Sequence, residues 1–138
     1  MDLNVILAIT GKPGLYKLIS RTKSGALVES LIDKKRIPAF SNERISSLKD
    51  ISIFTEEEDK PLLEVFQAIY RLENGGKCID HKSDERTLRE YMDRVLPAYD
   101  KDRVHLSDMR KLFSWYNILL ENGLIDLEEE KEEMSEKK

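Results

Sequence analysis

The chain changes its residue pattern at Phe54–Thr55. Before this point lie short segments that are rich in β-branched residues and separated by glycines, whereas after it apolar residues recur at helical spacing. A chain of 138 residues usually forms one compact domain or two small ones. We therefore predict a small β-barrel-like domain at 1–54, a three-helix segment at 55–125 and a disordered acidic tail at 126–138.

The charge of the chain divides at the same point. Residues 1–54 contain nine Lys and Arg against five Asp and Glu, residues 55–125 contain eleven against fifteen, and residues 126–138 contain three against seven. The net charge of −4 therefore conceals a basic first unit beside an acidic remainder. Such asymmetry bears on partners rather than on fold. Two interpretations stay open: the basic unit turns its charge toward an outside partner, or the acidic remainder neutralises it.

The first unit has the composition of a small β structure. Its predicted strands are 14–20, 26–32, 36–40 and 51–54. The first two are joined by a polar turn with a glycine and read as a hairpin, and Pro38 belongs at a sheet edge because it lacks an N–H. Residues 41–48 predict a short helical turn with Ser41 as its cap, and Leu3–Ile9 fits either a helix or a strand. A small SH3-like β-barrel is the most economical arrangement of strands this short.

Three amphipathic helices are predicted after the change of pattern. Their starts are near Pro61, Ser83 and Ser107, and their ends are at 74–76, Pro97 and 122–123. Trp115 and Tyr116 lie on the third helix, where aromatic residues serve either as core or as an anchor for a partner. The predicted fold class is thus α+β.

Neither a membrane segment nor a disulfide is expected. The longest apolar run, Val5–Ile9, is far shorter than the roughly 20 residues of a membrane helix. No basic patch precedes that run, so a secretory signal peptide is not predicted. Cys78 is the single cysteine, which excludes an intrachain disulfide. We expect a cytoplasmic protein that has no membrane partner.

No pattern in the chain indicates catalysis, so we predict a protein that is not an enzyme and has no cofactor and no metal. Cys78 and His81 have the spacing of one half of a zinc site, but the second pair of ligands is missing, and His105 lies far along the chain. A nucleophilic Cys–His pair would require a lowered thiol pKa. We interpret Cys78 as a lone thiol in a loop.

Two further motifs resemble ligand loops. Gly11-Lys-Pro-Gly14 lacks the G-x-x-x-x-G-K-S/T spacing of a phosphate-binding loop, so it predicts a turn, with an anion contact as the alternative. Asp100-Lys-Asp102 opens like a calcium loop, but the later ligand positions hold Val104, His105 and Lys111. We expect the Asp100–Arg103 stretch to form local charge pairs that help to place the third helix.

Basic and aromatic residues of the first unit form the candidate binding patch. Its members are Lys17, Arg21, Lys23, Lys34, Lys35 and Arg36, with Tyr16 and Phe40 as aromatics. Small barrels bind nucleic acid through basic grooves and stacking aromatics, although lysines in turns are commonly just solvated. We predict a non-catalytic protein-interaction or regulatory module whose partner is another protein or a second copy. Nucleic-acid binding through the basic unit is the alternative.

Several short motifs also carry a resemblance to a family. They are Gly11–Lys17, Glu29–Leu31, Arg103–Val104 with Ser107–Asp108, and Ser114–Asn117. In these motifs the chain resembles an uncharacterised family of Bacteroidetes bacteria, whose members have an N-terminal domain of unknown function followed by a helical segment. The resemblance extends to about Gly123. It implies a cytoplasmic bacterial protein with this two-part layout, and it implies no activity.

Overall fold

A computed structural model describes residues 5–12, 14–40 and 44–124. The described residues fall into two compact units that divide between Ile51 and Ser52, and we call them the β unit and the helical unit. Strands and helices are both present, so the predicted α+β class is confirmed. The predicted acidic tail at 126–138 lies outside the described residues.

The described part of the β unit is a five-stranded antiparallel sheet with the strand order β4-β3-β2-β1-β5. The strands are β1 (Ile6–Ile9), β2 (Tyr16–Thr22), β3 (Gly25–Ser30), β4 (Arg36–Phe40) and β5 (Ile45–Ser47). The ambiguous segment Leu3–Ile9 thus contributes a strand from Ile6 onward, while residues 3 and 4 are not among those described. Pro38 lies on β4, the outer strand next to β3, as its missing N–H predicts.

Two predictions for the end of the β unit are wrong. Residues 45–47 are strand rather than helical turn, and a 3-10 turn follows at Leu48–Asp50, where the Ser47 hydroxyl accepts from the N–H of Lys49 at 3.4 Å. The predicted cap, Ser41, lies outside the described residues. The predicted last strand, 51–54, contributes only β6 (Ser52–Ile53), which pairs with β7 (Lys60–Pro61) and not with the five-stranded sheet. A three-residue strand is too short for its alternation to be recognised in sequence.

The SH3-like barrel is not confirmed. Within the described part of the β unit, no ladder joins the outer strands β4 and β5, so the sheet is open where a barrel would be closed. One face of this sheet holds the core of the unit, because the register brings apolar residues of neighbouring strands together. Leu7 lies opposite Tyr16, Leu18 opposite Val28, and Ala26 opposite Ala39. The buried members of the cluster are Leu7, Ile9, Tyr16, Ala26, Val28 and Ala39.

The described part of the helical unit contains α1 (Leu62–Leu72), α2 (Glu85–Val95) and α3 (Leu106–Glu121), so the three predicted helices are confirmed. The cap of α2 is Asp84 rather than Ser83, because the Asp84 carboxylate accepts from the N–H of Thr87 at 3.1 Å. Helix α3 begins one residue before Ser107, and Asp108 closes its first turn by accepting from the N–H of His105 at 2.9 Å. Carboxylates near the helix start also suit the helix dipole.

Aromatic side chains fill the core of the helical unit. Tyr91 and Phe113 form an edge-to-face pair with ring centroids 5.2 Å apart, and the ring of Phe66 lies 6.2 Å from that of Tyr116. Tyr116 is fully buried, which confirms the core interpretation for this residue, while its neighbour Trp115 is half-buried. Among the described helices, none combines the length and the apolar character that crossing a membrane requires.

Candidate partner-binding groove

The β unit contains a groove of about 600 Å³, a size typical of ligand sites. Its floor is aliphatic and includes Leu7, Leu18, Ala26 and Ile45. Leu7 and Ala26 are buried members of the core cluster, and Leu18 and Ile45 are partly buried against it. The floor is therefore the margin of the core, where Leu18 and Ile45 remain partly exposed while Leu7 and Ala26 are buried.

Charged side chains line the same groove. Arg21, Lys23 and Asp50 contribute to the lining, together with the polar residues Thr22 and Ser47. Arg21 and Lys23 are exposed, and neither forms an ion pair with another residue of the described ranges. With one carboxylate against two cations, the lining is net positive.

A β-bulge brings Arg21 to the groove. The register between β2 and β3 shifts between Leu18 and Ser20, and after the shift Arg21 lies opposite Ala26. Without the extra residue, Ser20 would occupy that place and Arg21 would point to the other face of the sheet, because side chains alternate between faces. Bulges commonly turn a side chain toward a site in this way. The bulge thus places a cation on the otherwise apolar core face.

Gly25 permits the close approach of β3 and β4 at this end of the sheet. Its φ is +154°, and a Cβ there would lie 1.9 Å from the carbonyl oxygen of Ala39. Since backbone oxygen cannot move aside as a flexible side chain can, only glycine fits. The groove lining near the β2–β3 turn therefore depends on this residue.

The structure brings together two of the eight residues of the predicted patch, Arg21 and Lys23. The remaining cations lie elsewhere in the β unit. Lys34 and Lys35 belong to the β3–β4 turn, at the opposite end of β3 from the groove. Arg36 forms an ion pair with Glu29, with 3.3 Å between Nε and Oε1, and this contact neutralises part of its charge. Lys17 pairs with Glu29 across β2 and β3, on the face opposite the core.

The two aromatics of the predicted patch also lie apart. Tyr16 is 7% exposed and belongs to the core cluster, so its ring is not available for stacking. Phe40, at the end of edge strand β4, is 50% exposed. Neither ring lines the groove.

Sequence reasoning missed Leu7, Ile45 and Asp50 as parts of the site. They come from β1, β5 and the 3-10 turn, and the fold places them around the same groove as Arg21. The continuous apolar run Val5–Ile9 is the one sequence signal that indicates burial of β1. No sequence signal indicates the bulge that turns Arg21.

The turn interpretation of Gly11–Gly14 is confirmed for its described residues. Gly11 has φ +86° and Gly14 has φ +80°, and the N–H of Lys12 donates to the carbonyl of Ile9 at 3.0 Å. These positive φ values are those that glycine adopts at no steric cost.

Cys78 lies in the loop between α1 and α2, as expected of a lone thiol. Its Sγ donates to the carbonyl of Phe113 at 3.4 Å, and its N–H donates to Oδ1 of Asn117 at 2.9 Å. Burial, with a contribution from the negative charge of Glu73, raises the pKa of the Cys78 thiol to about 12. The thiol is therefore protonated near neutral pH, the opposite of what a nucleophilic cysteine requires.

Other polar groups of the helical unit also serve its own structure. The Tyr91 hydroxyl donates to the Glu73 carboxylate, and the Tyr116 hydroxyl donates to the carbonyl of Gly76 at 2.9 Å. Burial raises the pKa of Tyr91 and that of Tyr116 well above the usual range. In the part of the chain that the structure describes, no three His, Cys, Asp or Glu side chains are arranged to hold a metal ion.

The local charge pairs predicted at Asp100–Arg103 are confirmed. The Asp100 carboxylate accepts from Nε of Arg103 at 2.9 Å and from the N–H of Asp102 at 2.9 Å. The Arg103 guanidinium also lies 4.3 Å above the ring centroid of Phe54. These contacts hold the start of α3 against the segment that leads into the helical unit.

These features define a two-unit α+β protein with an open, positively lined groove in its first unit. A domain of unknown function (DUF5606) matches residues 3–48, and another domain of unknown function (DUF6852) matches residues 51–119. The chain therefore belongs to the Bacteroidetes protein family that joins these two domains, as the sequence resemblance predicts.

A solved structure and a search of curated proteins complete the comparison. The chain is 46% identical to a Bacteroides vulgatus protein whose solution NMR structure was determined by the Northeast Structural Genomics Consortium. That match covers 91% of this chain and 90% of the other, with a TM-score of 0.75. The search of curated proteins found no match.

Proposed function

We propose that this protein is a non-catalytic protein-interaction module that binds a segment of a partner protein in the groove of the β unit. The observation that carries the proposal is the combination of an accessible aliphatic floor with two cations that have no ion-pair partner among the described residues. Apolar surface that a folded unit leaves accessible, rimmed by polar residues, is typical of an interaction site.

The use of polar groups in the helical unit supports a binding role over a catalytic one. Catalytic groups need a pKa that is tuned toward the working pH. Here the shifts of Cys78, Tyr91 and Tyr116 go in the other direction, because burial keeps each group protonated. These side chains hold the loop after α1 against α3, which is a structural task.

Nucleic-acid binding is the second candidate, and the excess of cations in residues 1–54 favours it. The groove itself favours a protein partner. Binding of single strands depends on bases that stack on aromatic rings, whereas Tyr16 is buried in the core and no described residue of the groove lining is aromatic.

A capture experiment tests the proposal. The tagged 138-residue chain is used to isolate partners from native lysate of a Bacteroidetes bacterium that carries the gene, with and without nuclease. We expect a protein partner that survives nuclease and is lost in the double variant Arg21→Glu, Lys23→Glu. Partners that vanish with nuclease would instead support nucleic-acid binding and overturn the proposal.

The matched control reverses the same number of charges at the other end of the sheet. Lys34→Glu, Lys35→Glu changes the net charge of the chain by the same amount, but both residues belong to the β3–β4 turn, away from the groove. We expect this variant to retain the partner. Loss of the partner in both variants would show that total charge, and not the groove, determines binding.

A further inference from the structure

We infer that the groove of the β unit binds an acidic peptide segment that carries an aliphatic anchor residue. This inference rests on the proposed function and specifies the chemistry of the partner. The anchor contacts the floor formed by Leu7, Leu18 and Ile45, and the acidic side chains reach Arg21 and Lys23.

The charge of the lining selects the acidic part of the segment. The bulge in β2 holds Arg21 on the core face, and Lys23 follows two residues later in the β2–β3 turn. The two cations therefore lie toward the turn end of the groove. Arginine binds a carboxylate through two parallel hydrogen bonds, which makes Arg21 the side chain suited to orient the segment.

The floor selects the anchor. Aliphatic side chains from β1, β2, β3 and β5 line the groove. Burial of a leucine-sized side chain against such a surface increases affinity roughly tenfold or more. A segment with carboxylates alone would leave the floor in water. A purely apolar segment would leave the cations without partners, so both kinds of residue are needed.

The floor also disfavours the competing polyanion. A nucleic-acid strand presents charge to Arg21 and Lys23, but its bases are flat and prefer aromatic surfaces. The lining of the groove contains no aromatic ring among its described residues. A flexible aliphatic side chain is the group that such a floor accommodates.

Defined peptides test the inference by NMR titration of the full chain, labelled with ¹⁵N. The probe is a ten-residue peptide of glutamate and serine with one central leucine. We expect amide shifts in residues 21–25 and at Leu7 and Ile45. Replacing the leucine of the probe by serine weakens binding at least fivefold, and replacing its glutamates by lysine abolishes the shifts.

Variants of the protein locate the site. Arg21→Glu, Lys23→Glu weakens binding of the leucine probe at least tenfold, whereas Lys34→Glu, Lys35→Glu changes it less than twofold. The milder pair Arg21→Gln, Lys23→Gln is expected to lie between wild type and the charge reversal. If the charge-reversal variant does not fold, as judged by loss of the native amide spectrum, the glutamine pair still tests whether the two cations contribute to binding.

Three outcomes would overturn the inference: no groove shifts at millimolar probe, equal binding of the peptide that lacks leucine, or stronger groove shifts with a ten-nucleotide strand of thymidines. The first two results leave the proposed function standing if the capture experiment still yields a nuclease-resistant protein partner, because the partner would then have a different chemistry. If the capture experiment yields no protein partner and the titration shows no groove shifts, both the proposed function and this inference are wrong.

Discussion

The two units of this protein differ in the side chains that form their cores. Large aromatic side chains are fully buried in the helical unit, among them Phe66, Phe113 and Tyr116. The buried face of the β unit relies on smaller residues such as Ala26, Val28 and Ala39. The groove lies where the partly buried Leu18 and Ile45 meet the exposed cations Arg21 and Lys23. This combination is the reason that we propose binding for the β unit.

The units also differ in what their polar side chains do. In the helical unit, the side chains of Glu73, Tyr91 and Asn117 bond to other groups of the same unit. In the β unit, Arg21 and Lys23 face an open groove. The stability of the helical unit and the proposed binding by the β unit thus draw on different residues, and variants that affect one need not affect the other.

Phe113→Ala is expected to have the largest effect on stability. Phe113 is fully buried and contacts Tyr91 edge to face, and truncation of such a residue costs about 3–5 kcal/mol. Urea unfolding followed by the fluorescence of Trp115, the single tryptophan, reports this loss directly on α3. The same change in the β unit, Phe40→Ala, is the control and should cost less than about 1 kcal/mol, because Phe40 is 50% exposed. Equal losses would contradict the difference in packing.

Gly25→Ala is expected to have the next largest effect, and it is confined to the β unit. The added Cβ would lie 1.9 Å from the carbonyl oxygen of Ala39, so β3 and β4 must separate, at a cost of about 2–3 kcal/mol. Gly11→Ala is the matched control, because Gly11 also has a positive φ but open space around the added atom, and only backbone strain of about 1–2 kcal/mol remains. Amide hydrogen exchange of the β3 and β4 residues measures both. If the two variants were equally stable, the clash would not determine the register.

The two units were unequally predictable from sequence. Helices are recognisable because their stripes repeat over three turns, as with Leu88, Met92 and Val95 in α2. The sheet was harder: β5 has only three residues, and strand 51–54 was assigned to the wrong sheet. A pattern shows that a segment is extended but not which strand it pairs with.

The groove was predictable only in part, for the same reason. Arg21 and Lys23 were selected from their charge. Their neighbours in the groove, Leu7 and Ile45, come from β1 and β5, which are far apart in the sequence. The bulge that turns Arg21 toward the groove has no signature in the amino-acid composition. Tyr16 belongs to the predicted patch as an aromatic of the same unit, but the structure places it in the core.

Asp84→Ala tests the one helix cap that the sequence misplaced, and its effect on stability is smaller. The Asp84 carboxylate accepts from Thr87, and this contact lowers the pKa of the carboxyl below its ordinary 3.8. A carboxyl with a lowered pKa stabilises the native state above its unfolded pKa and loses that contribution as the pH falls. We therefore expect Asp84→Ala to lower Tm at pH 7, with the difference from wild type closing below pH 3.8. Ser83→Ala should leave Tm nearly unchanged. A larger loss of Tm in Ser83→Ala than in Asp84→Ala would mean that Ser83 is the cap.

Cys78 gives the prediction with the smallest effect on stability at neutral pH, where its thiol is protonated in the folded and the unfolded chain alike. The unfolded thiol ionises near pH 9, but the folded one retains its proton to about pH 12. Stability is thus lost as the pH rises above 9, because only the unfolded state releases the proton there. At pH 8 the folded chain should react with iodoacetamide at least about tenfold more slowly than the urea-unfolded chain, because burial leaves a much smaller fraction of the folded thiol ionised. Equal rates in mass-spectrometric labelling would mean an ionised, accessible thiol, and the helical unit would then hold a reactive group of its own.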